Sequence, residues 1–430
     1  MQTLNRKDVI SKGVFSAAFS KIIGFAYQIF TVPILLLILG EENFGILSIA
    51  LVLIGWINMI NGGLSPHLTK ILTENRPKKE ISLIINISRT IILYAIGIYL
   101  CLSGAFLLLS DFLHEKYFVF EFISLLLLCI AILYFSIADS IRQGIYEQHK
   151  NNLVLAFSNL SSLILIFLFY KQNIFFISKE FTVVLGLYAP LLFFKFLNFI
   201  SLSDRFFSGS FYAPFLGNEK IYKLVVTIFI SNIYIQISTL LIKTITLLAL
   251  SINSFAAVAQ MEVLFRFITI LGTFIATIQP IVWPLISNAY IRNDINWTKK
   301  VKIYLLVLSA IYSMLILIIF SLFGDQIFKI WLGTSIQIEE NLIMISAAYF
   351  ALISFTQIFI IFLFGLGLFA YVGKILFYES IAYLIILIIL FLINQISIIL
   401  CLLFMAISRI LITPIFILKV NAEENKLARL

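Results

Sequence analysis

The chain has 430 residues, of which 62% are hydrophobic and only 12% charged, with a mean hydropathy of +1.09. That is too little charge to cover a soluble domain of this length, which excludes a globular cytoplasmic enzyme. The net charge of +9 does not indicate nucleic-acid binding, because Lys and Arg are scattered over short connections and form no basic domain.

Apolar runs long enough to cross a hydrocarbon core of about 30 Å recur from end to end. In chain order they predict spans at 13–38, 44–66, 83–109, 118–141, 152–170, 181–200, 223–248, 255–285, 302–322, 341–366, 374–393 and 396–418. The expected fold is therefore an all-α polytopic membrane protein of about twelve transmembrane helices. The basic start MQTLNRKDVISKG runs into an apolar segment without a small-residue cleavage site, so the first helix is expected to remain. The longest connection, about 201–222, carries Gly209, Pro214 and Gly217. It suggests a division into an N-terminal six-helix bundle (1–205), a cytoplasmic linker (206–222) and a C-terminal six-helix bundle (223–430).

Charge tests the topology. With the N-terminus inside, the inner segments hold twenty-one Lys and Arg residues, and the outer loops hold only Lys116, Lys171, Lys179 and Lys329. Such asymmetry is the positive-inside signature, and an odd helix count would scramble it. Both termini are thus expected in the cytoplasm. Three local likenesses in order, Phe44 with Phe255, Asp111 with Asp325 and Gly144 with Gly365, suggest a duplicated six-helix unit. Two such copies would be related by an axis along the membrane normal, leaving a central cleft.

Cys101, Cys129 and Cys401 lie in apolar segments with no CxxC pair, and read as small buried hydrophobes. His67, His114 and His149 fall in separate loops without metal-ligand spacing, so no metal is expected. The string from Gly367 to Lys374 has five residues between its glycines and no Ser or Thr after the lysine, which departs from a nucleotide-binding loop. The outer loops are small, the largest being about 323–340. No cofactor and no catalytic domain are expected, and transport is the activity left.

The informative residues are ionisable groups inside the spans, where charge costs about 2.5–3.5 kcal/mol on insertion scales and needs a partner or a wet cavity. They are Lys21, Lys243, Glu262, Arg266, Glu379 and Arg409, with Arg89 near the end of the third span. Glu262 and Arg266 are spaced i, i+4 and share a helix face. Two readings fit them: a self-neutralising structural pair, or a carboxylate that orients Arg266 toward a ligand. The deep set holds four cations (Lys21, Lys243, Arg266, Arg409) against two acids (Glu262, Glu379). Local pairing cannot cancel that excess, so some of these cations are expected to line a cavity and meet an anion. Pro33, Pro190, Pro280, Pro284 and Pro414 lie within or at the ends of spans, as hinges or as static kinks. Trp283, Trp297 and Trp331 lie near span ends, as in an interfacial belt.

The opening SKGVFSAAFSKIIGFAYQIFTVPILLLILGEENFGILSIA resembles the polysaccharide-transporter branch, the O-antigen flippases, of the multidrug/oligosaccharidyl-lipid/polysaccharide exporter superfamily. The shared features are a basic start, a proline late in the first helix, then Leu39-Gly40 and Phe44-Gly45 at the first turn. FGDQIFKIWLGTSIQI and IRQGIYEQHKNN are similar to the same branch. The resemblance implies a V-shaped pair of bundles in the bacterial inner membrane, working by alternating access. It implies as substrate an undecaprenyl-pyrophosphate-linked oligosaccharide, an O-antigen or capsule repeat unit, carried from the cytoplasmic to the outer leaflet. A pyrophosphate would suit a cationic cavity of Lys21, Arg89, Lys243, Arg266 and Arg409, with Glu262 and Glu379 as acidic partners. Asn58, Asn61, Asn159, Asn198, Asn232, Gln236, Gln260, Gln357, Gln395 and several tyrosines could bond sugar hydroxyls. The coupling ion, H⁺ or Na⁺, is left open, and a monomer is the default. The rival readings are a multidrug/cation antiporter of the same superfamily, which calls for an acidic cavity, and a membrane-embedded polysaccharide polymerase or ligase, which calls for a large outer loop.

Overall fold

The computed structural model describes residues 6–73, 92–93, 96–97, 100, 119–145, 147–206, 219–292 and 294–427. Eleven helical elements follow one another there: α1 (Arg6–Thr73), α2 (Val119–Phe135), α3 (Ile137–Gly144), α4 (Gln148–Gln172), α5 (Lys179–Phe206), α6 (Glu219–Ser251), α7 (Phe255–Ile291), α8 (Ile295–Leu332), α9 (Glu340–Gly365), α10 (Phe369–Leu392) and α11 (Ile398–Leu427). Among the described residues ten helices are long and apolar enough to cross a membrane. The protein is a multi-pass, all-helical membrane protein. In hydrocarbon every backbone N–H and C=O must be satisfied within the segment, and an α-helix does this without a partner.

The first two predicted spans form the single element α1, broken at Gly40. There the backbone takes φ 77° and ψ 173°, a conformation that costs glycine little and L side chains much. Most of the predicted span 83–109, with Arg89 and Cys101, lies outside the described residues, as does 207–218 of the predicted linker. The other spans coincide with helices, but several helices run further than hydropathy indicated. The segment 323–332, read as loop, continues α8. Phe328 and Leu332 are buried there, Phe328 packs edge-on against Phe267 at 5.2 Å, and Asp325 accepts from Lys329 one turn on at 2.6 Å. Apolar burial and an i, i+4 ion pair carry the helix past Gly324. At the other end of the chain α11 continues to Leu427, supported by Lys419–Glu423 at 2.8 Å and Lys302–Glu424 at 2.6 Å.

The chain divides into two compact units, one of residues 1–39 and 50–233, the other of 40–49 and 234–430. In the first, α5 packs on α2 and α4. Ser162 of α4 donates to the Leu187 carbonyl at 3.0 Å, a turn before Pro190, where the proline removes a backbone donor from α5. A polar knot joins α3, α4 and α5. Arg142, only 5% exposed, donates to Asn198, Glu147 and Ser201. Asp139 holds Lys195 and Asn198, and its carbonyl accepts from Asn151 at 2.7 Å.

In the second unit α9 is the central helix, packed on α7, α8 and α11. Its burial on several sides explains why apolar and small residues recur around it, including Ile343, Ser346, Ala347, Phe350, Ser354 and Phe362. Thr356 meets Thr413 of α11 at 2.7 Å, and Tyr383 of α10 meets Thr246 of α6 at 2.9 Å. Such interhelical hydroxyl bonds satisfy groups that lipid cannot.

Candidate functional site: a charged cavity in the second unit

The second unit holds a cavity of about 420 Å³ between α6, α7, α9, α10 and α11, within the size range of ligand sites. Its charged lining residues are Lys243, Glu379 and Arg409; its neutral polar residues include Ser238, Thr239, Thr269, Gln279, Tyr349 and Gln357. Three of these helices carry polar or charged side chains at helical spacing in and beside the cavity wall. On α6, Ser238, Ile242 and Thr246 share a face, with Lys243 beside it. On α7, Glu262, Arg266 and Thr269 follow at i, i+4 and i+7. On α10, Leu376, Glu379 and Tyr383 follow at i, i+3 and i+7.

Two ion-pair groups support the charge. Behind the wall, Glu262 is 3% exposed. Its Oε1 accepts from Arg266 Nε at 3.1 Å, and its Oε2 lies 2.8 Å from Lys243 Nζ. The Lys243 ammonium also sits 5.6 Å from the centre of the Phe265 ring, a cation–π contact. On the other side, Arg409 Nε lies 3.2 Å from Glu379 Oε1. Ser408 Oγ donates to that same oxygen at 3.1 Å. Glu379 Oε2 and Arg409 Nε are buried and make no aligned hydrogen bond with any described residue. Tyr349 interacts with Arg409 from α9. At the neutral end, Gln357 Nε2 donates to Gln279 Oε1 at 2.8 Å.

The structure brings five of the seven candidate residues together: Lys243, Glu262, Arg266, Glu379 and Arg409. Of the two readings of Glu262 and Arg266, the structure shows the pairing. The two residues do pair, but the carboxylate is shared with Lys243, so the pair is not self-contained. Arg266 does not line the cavity and stands behind Lys243. Lys21 belongs to the first unit, is exposed, and makes no ion pair with any described residue. Arg89 lies outside the described residues. Gln279 and Tyr349 were not singled out from the sequence. Among the described residues no group of three or more His, Cys, Asp and Glu is placed to hold a metal ion.

No family model matches the sequence, and no curated protein matches it closely. Solved structures do. An inward-facing multidrug resistance MATE family transporter of the MOP superfamily superposes with a TM-score of 0.73 over 95% of this chain and 96% of its own, at 13% identity. The fold is that of MATE-type transporters. A Vibrio cholerae MATE transporter variant gives a TM-score of 0.66 over 98% of this chain and 97% of its own, at 13% identity. A MOP superfamily transporter from Pyrococcus furiosus gives 0.64 over 98% and 96%, at 12% identity, and is described by a reversed polarity of its binding pocket that suggests a different function. At these identities the MATE-type likeness speaks for the fold.

Proposed function

We propose that this protein is a transporter that carries an undecaprenyl-pyrophosphate-linked oligosaccharide, an O-antigen or capsule repeat unit, from the cytoplasmic to the outer leaflet of the bacterial inner membrane by alternating access. The observation that supports this reading is the charge balance of the cavity. Lys243, Arg266 and Arg409 are served by only two carboxylates, Glu262 and Glu379, so the group carries one surplus positive charge. In a low-dielectric site that surplus favours an anion over a cation, and a pyrophosphate offers several acceptors for Lys and Arg. The neighbouring Gln279–Gln357 pair and the Ser and Thr hydroxyls suit sugar hydroxyls. The polyprenyl tail needs no protein site, because lipid solvates it. The resemblance of the chain's opening to the polysaccharide-transporter branch points the same way, as does a positive-inside pattern that puts both termini in the cytoplasm.

The second reading is a multidrug/cation antiporter. It is supported by the MATE structures that share the fold and by the two acidic residues of the cavity group. The Pyrococcus protein offers a precedent for opposite pocket polarity on this fold, and the surplus cation here favours the lipid-linked anion. One experiment separates the two. In a deletion strain, lipid-linked repeat units should accumulate in the cytoplasmic leaflet and the wild-type gene should clear them. Arg409→Ala should not clear them although the protein accumulates in the membrane. Normal clearance by Arg409→Ala, or efflux of a cationic dye by the wild type with no effect on repeat units, would overturn the proposal.

A further inference from the structure

We infer that the loop between α4 and α5 in the first unit, residues 173–178, is a membrane anchor. Its apolar tip sits in the phospholipid leaflet at that end of the helices, and Lys171 and Lys179 meet the lipid phosphates on either side. The inference uses nothing of the second unit and does not depend on the substrate.

The loop is built inside out. It reads Asn173-Ile174-Phe175-Phe176-Ile177-Ser178, and its polar groups are turned inward. Thr182 of α5 is 1% exposed; its hydroxyl accepts from the Phe176 N–H at 2.7 Å and donates to the Ser178 carbonyl at 2.8 Å. Ser178 donates to Glu121 of α2 at 2.7 Å and accepts from the Phe181 N–H at 3.0 Å, which caps α5. The Ile174 N–H donates to the Phe169 carbonyl of α4 at 3.2 Å. The loop backbone is thus fixed to all three helices. The aliphatic and aromatic side chains point the other way: Ile174 and Phe176 are exposed, and Ile177 is 79% exposed. A connection in water has the reverse arrangement, with polar side chains outward.

Ile177 also stands in the left-handed region, at φ 52°. A β-branched side chain is a steric outlier there. Asn173, at φ 48°, shows the residue type that suits this conformation. An isoleucine held against its backbone preference and pushed outward gains nothing in water. In hydrocarbon its burial offsets the strain.

Charge identifies the surroundings as phospholipid. Of the four lysines that the positive-inside pattern leaves outside, two, Lys171 and Lys179, bracket this one loop. Both are exposed and make no ion pair with any described residue. The Lys179 ammonium lies 5.7 Å from the centre of the Phe175 ring. The acid beside it, Glu180, is half-buried on the first turn of α5. The loop joins two helices that are long and apolar enough to span a bilayer, so it lies where the bilayer ends. At the headgroup–acyl boundary the long lysine stems lift the ammonium groups to the phosphates while the apolar tip stays below.

The test uses the full-length protein in vesicles of phosphatidylethanolamine and phosphatidylglycerol. A nitroxide on Ile177→Cys is read by electron paramagnetic resonance, with oxygen as the reagent of the hydrocarbon and a nickel chelate as the reagent of water. Labelled wild type supplies the background. Met314→Cys, on an exposed apolar position of α8, is the lipid control, and Lys426→Cys, 68% exposed, is the water control. The label at 177 should match the lipid control in its preference for oxygen and lie about 5–10 Å below the phosphates. Nickel access equal to the water control would overturn the inference. Shielding from both reagents would overturn it too, because the loop would then be covered by a second copy or another protein. Ile174→Cys gives the same reading if Ile177→Cys does not accumulate. Lys171→Glu combined with Lys179→Glu should raise nickel access at 177 several-fold in these vesicles, and far less in phosphatidylcholine alone. An equal change in both lipids would overturn the phosphate contacts of the two lysines.

Discussion

Lys243 on α6 and Arg266 on α7 hold the same carboxylate, 2.8 Å and 3.1 Å from opposite oxygens of Glu262. The two cations are therefore not equivalent. Arg266 is 19% exposed and shares the Glu262 helix; Lys243 is 32% exposed and reaches the cavity. Removing one partner of a buried pair costs about 3–5 kcal/mol when it strands the other charge. Glu262→Gln strands two cations and should lower thermal stability in detergent markedly, with poor accumulation in the membrane. Lys243→Met leaves Arg266 and Glu262 as a neutral pair. It should accumulate normally and melt near the wild type, yet bind farnesyl pyrophosphate about tenfold or more weakly. Equal loss of stability in both variants would show that Lys243 serves the fold alone.

The amide pair at the other end of the cavity predicts a specificity effect. Gln357 donates to Gln279, and each amide keeps capacity for a further bond. Gln357→Leu removes one partner and leaves the Gln279 carbonyl oxygen unpaired, a loss of about 1–3 kcal/mol that a sugar hydroxyl could partly recover in the wild type. The variant should bind a polyprenyl pyrophosphate as well as the wild type does, and a polyprenyl pyrophosphoryl sugar several-fold less well. Competition between these two ligands reads the difference directly.

Gly373 of α10 packs closely against α6. A Cβ on Gly373 would stand 2.9 Å from Tyr234 Cβ and 3.4 Å from the Ile235 backbone nitrogen. Those atoms belong to a helix body and cannot swing aside as a side-chain tip can. Gly373→Val should push the two helices apart, at about 1–3 kcal/mol of overpacking. Because Lys243 and Glu379 stand on these two helices, farnesyl pyrophosphate affinity should drop together with the melting temperature. Gly373→Ala should show the same trend more weakly.

Much of this arrangement is visible in the sequence, and the reason for the rest is physical. Ionisable residues inside apolar runs announce themselves by their cost, which is why Lys243, Glu262, Arg266, Glu379 and Arg409 stand out one by one. Glu262 with Arg266 is also legible as a pair, because i, i+4 spacing fixes their proximity on one helix. Lys243 with Glu262, and Glu379 with Arg409, are not, since no local periodicity tells which helix faces which. Gln279 and Tyr349 are of types common in any membrane helix, and only packing selects them. Helix ends are not legible from hydropathy alone: Gly324 and Asp325 look like a turn, yet Phe328, Leu332 and the Asp325–Lys329 pair keep α8 going.

The first unit offers a test of what a buried charge does away with any cavity in the second. Arg142 is 5% exposed and donates to three side chains, on α5 and on the connection before α4. Lysine has no planar fork to match this geometry, so Arg142→Lys keeps the charge but loses most of the bonds. Arg142→Met loses both and takes one cation from Glu147, which also pairs with Lys150 at 2.9 Å. Stability should fall in the order wild type, Arg142→Lys, Arg142→Met, by about 2–5 kcal/mol at the end of the series. Farnesyl pyrophosphate affinity per folded molecule should stay within about twofold of the wild type, because the cavity of the second unit contains none of these residues. Melting curves and calorimetry on the same detergent samples separate the two quantities. A tenfold loss of affinity at unchanged stability would mean that Arg142 takes part in substrate handling.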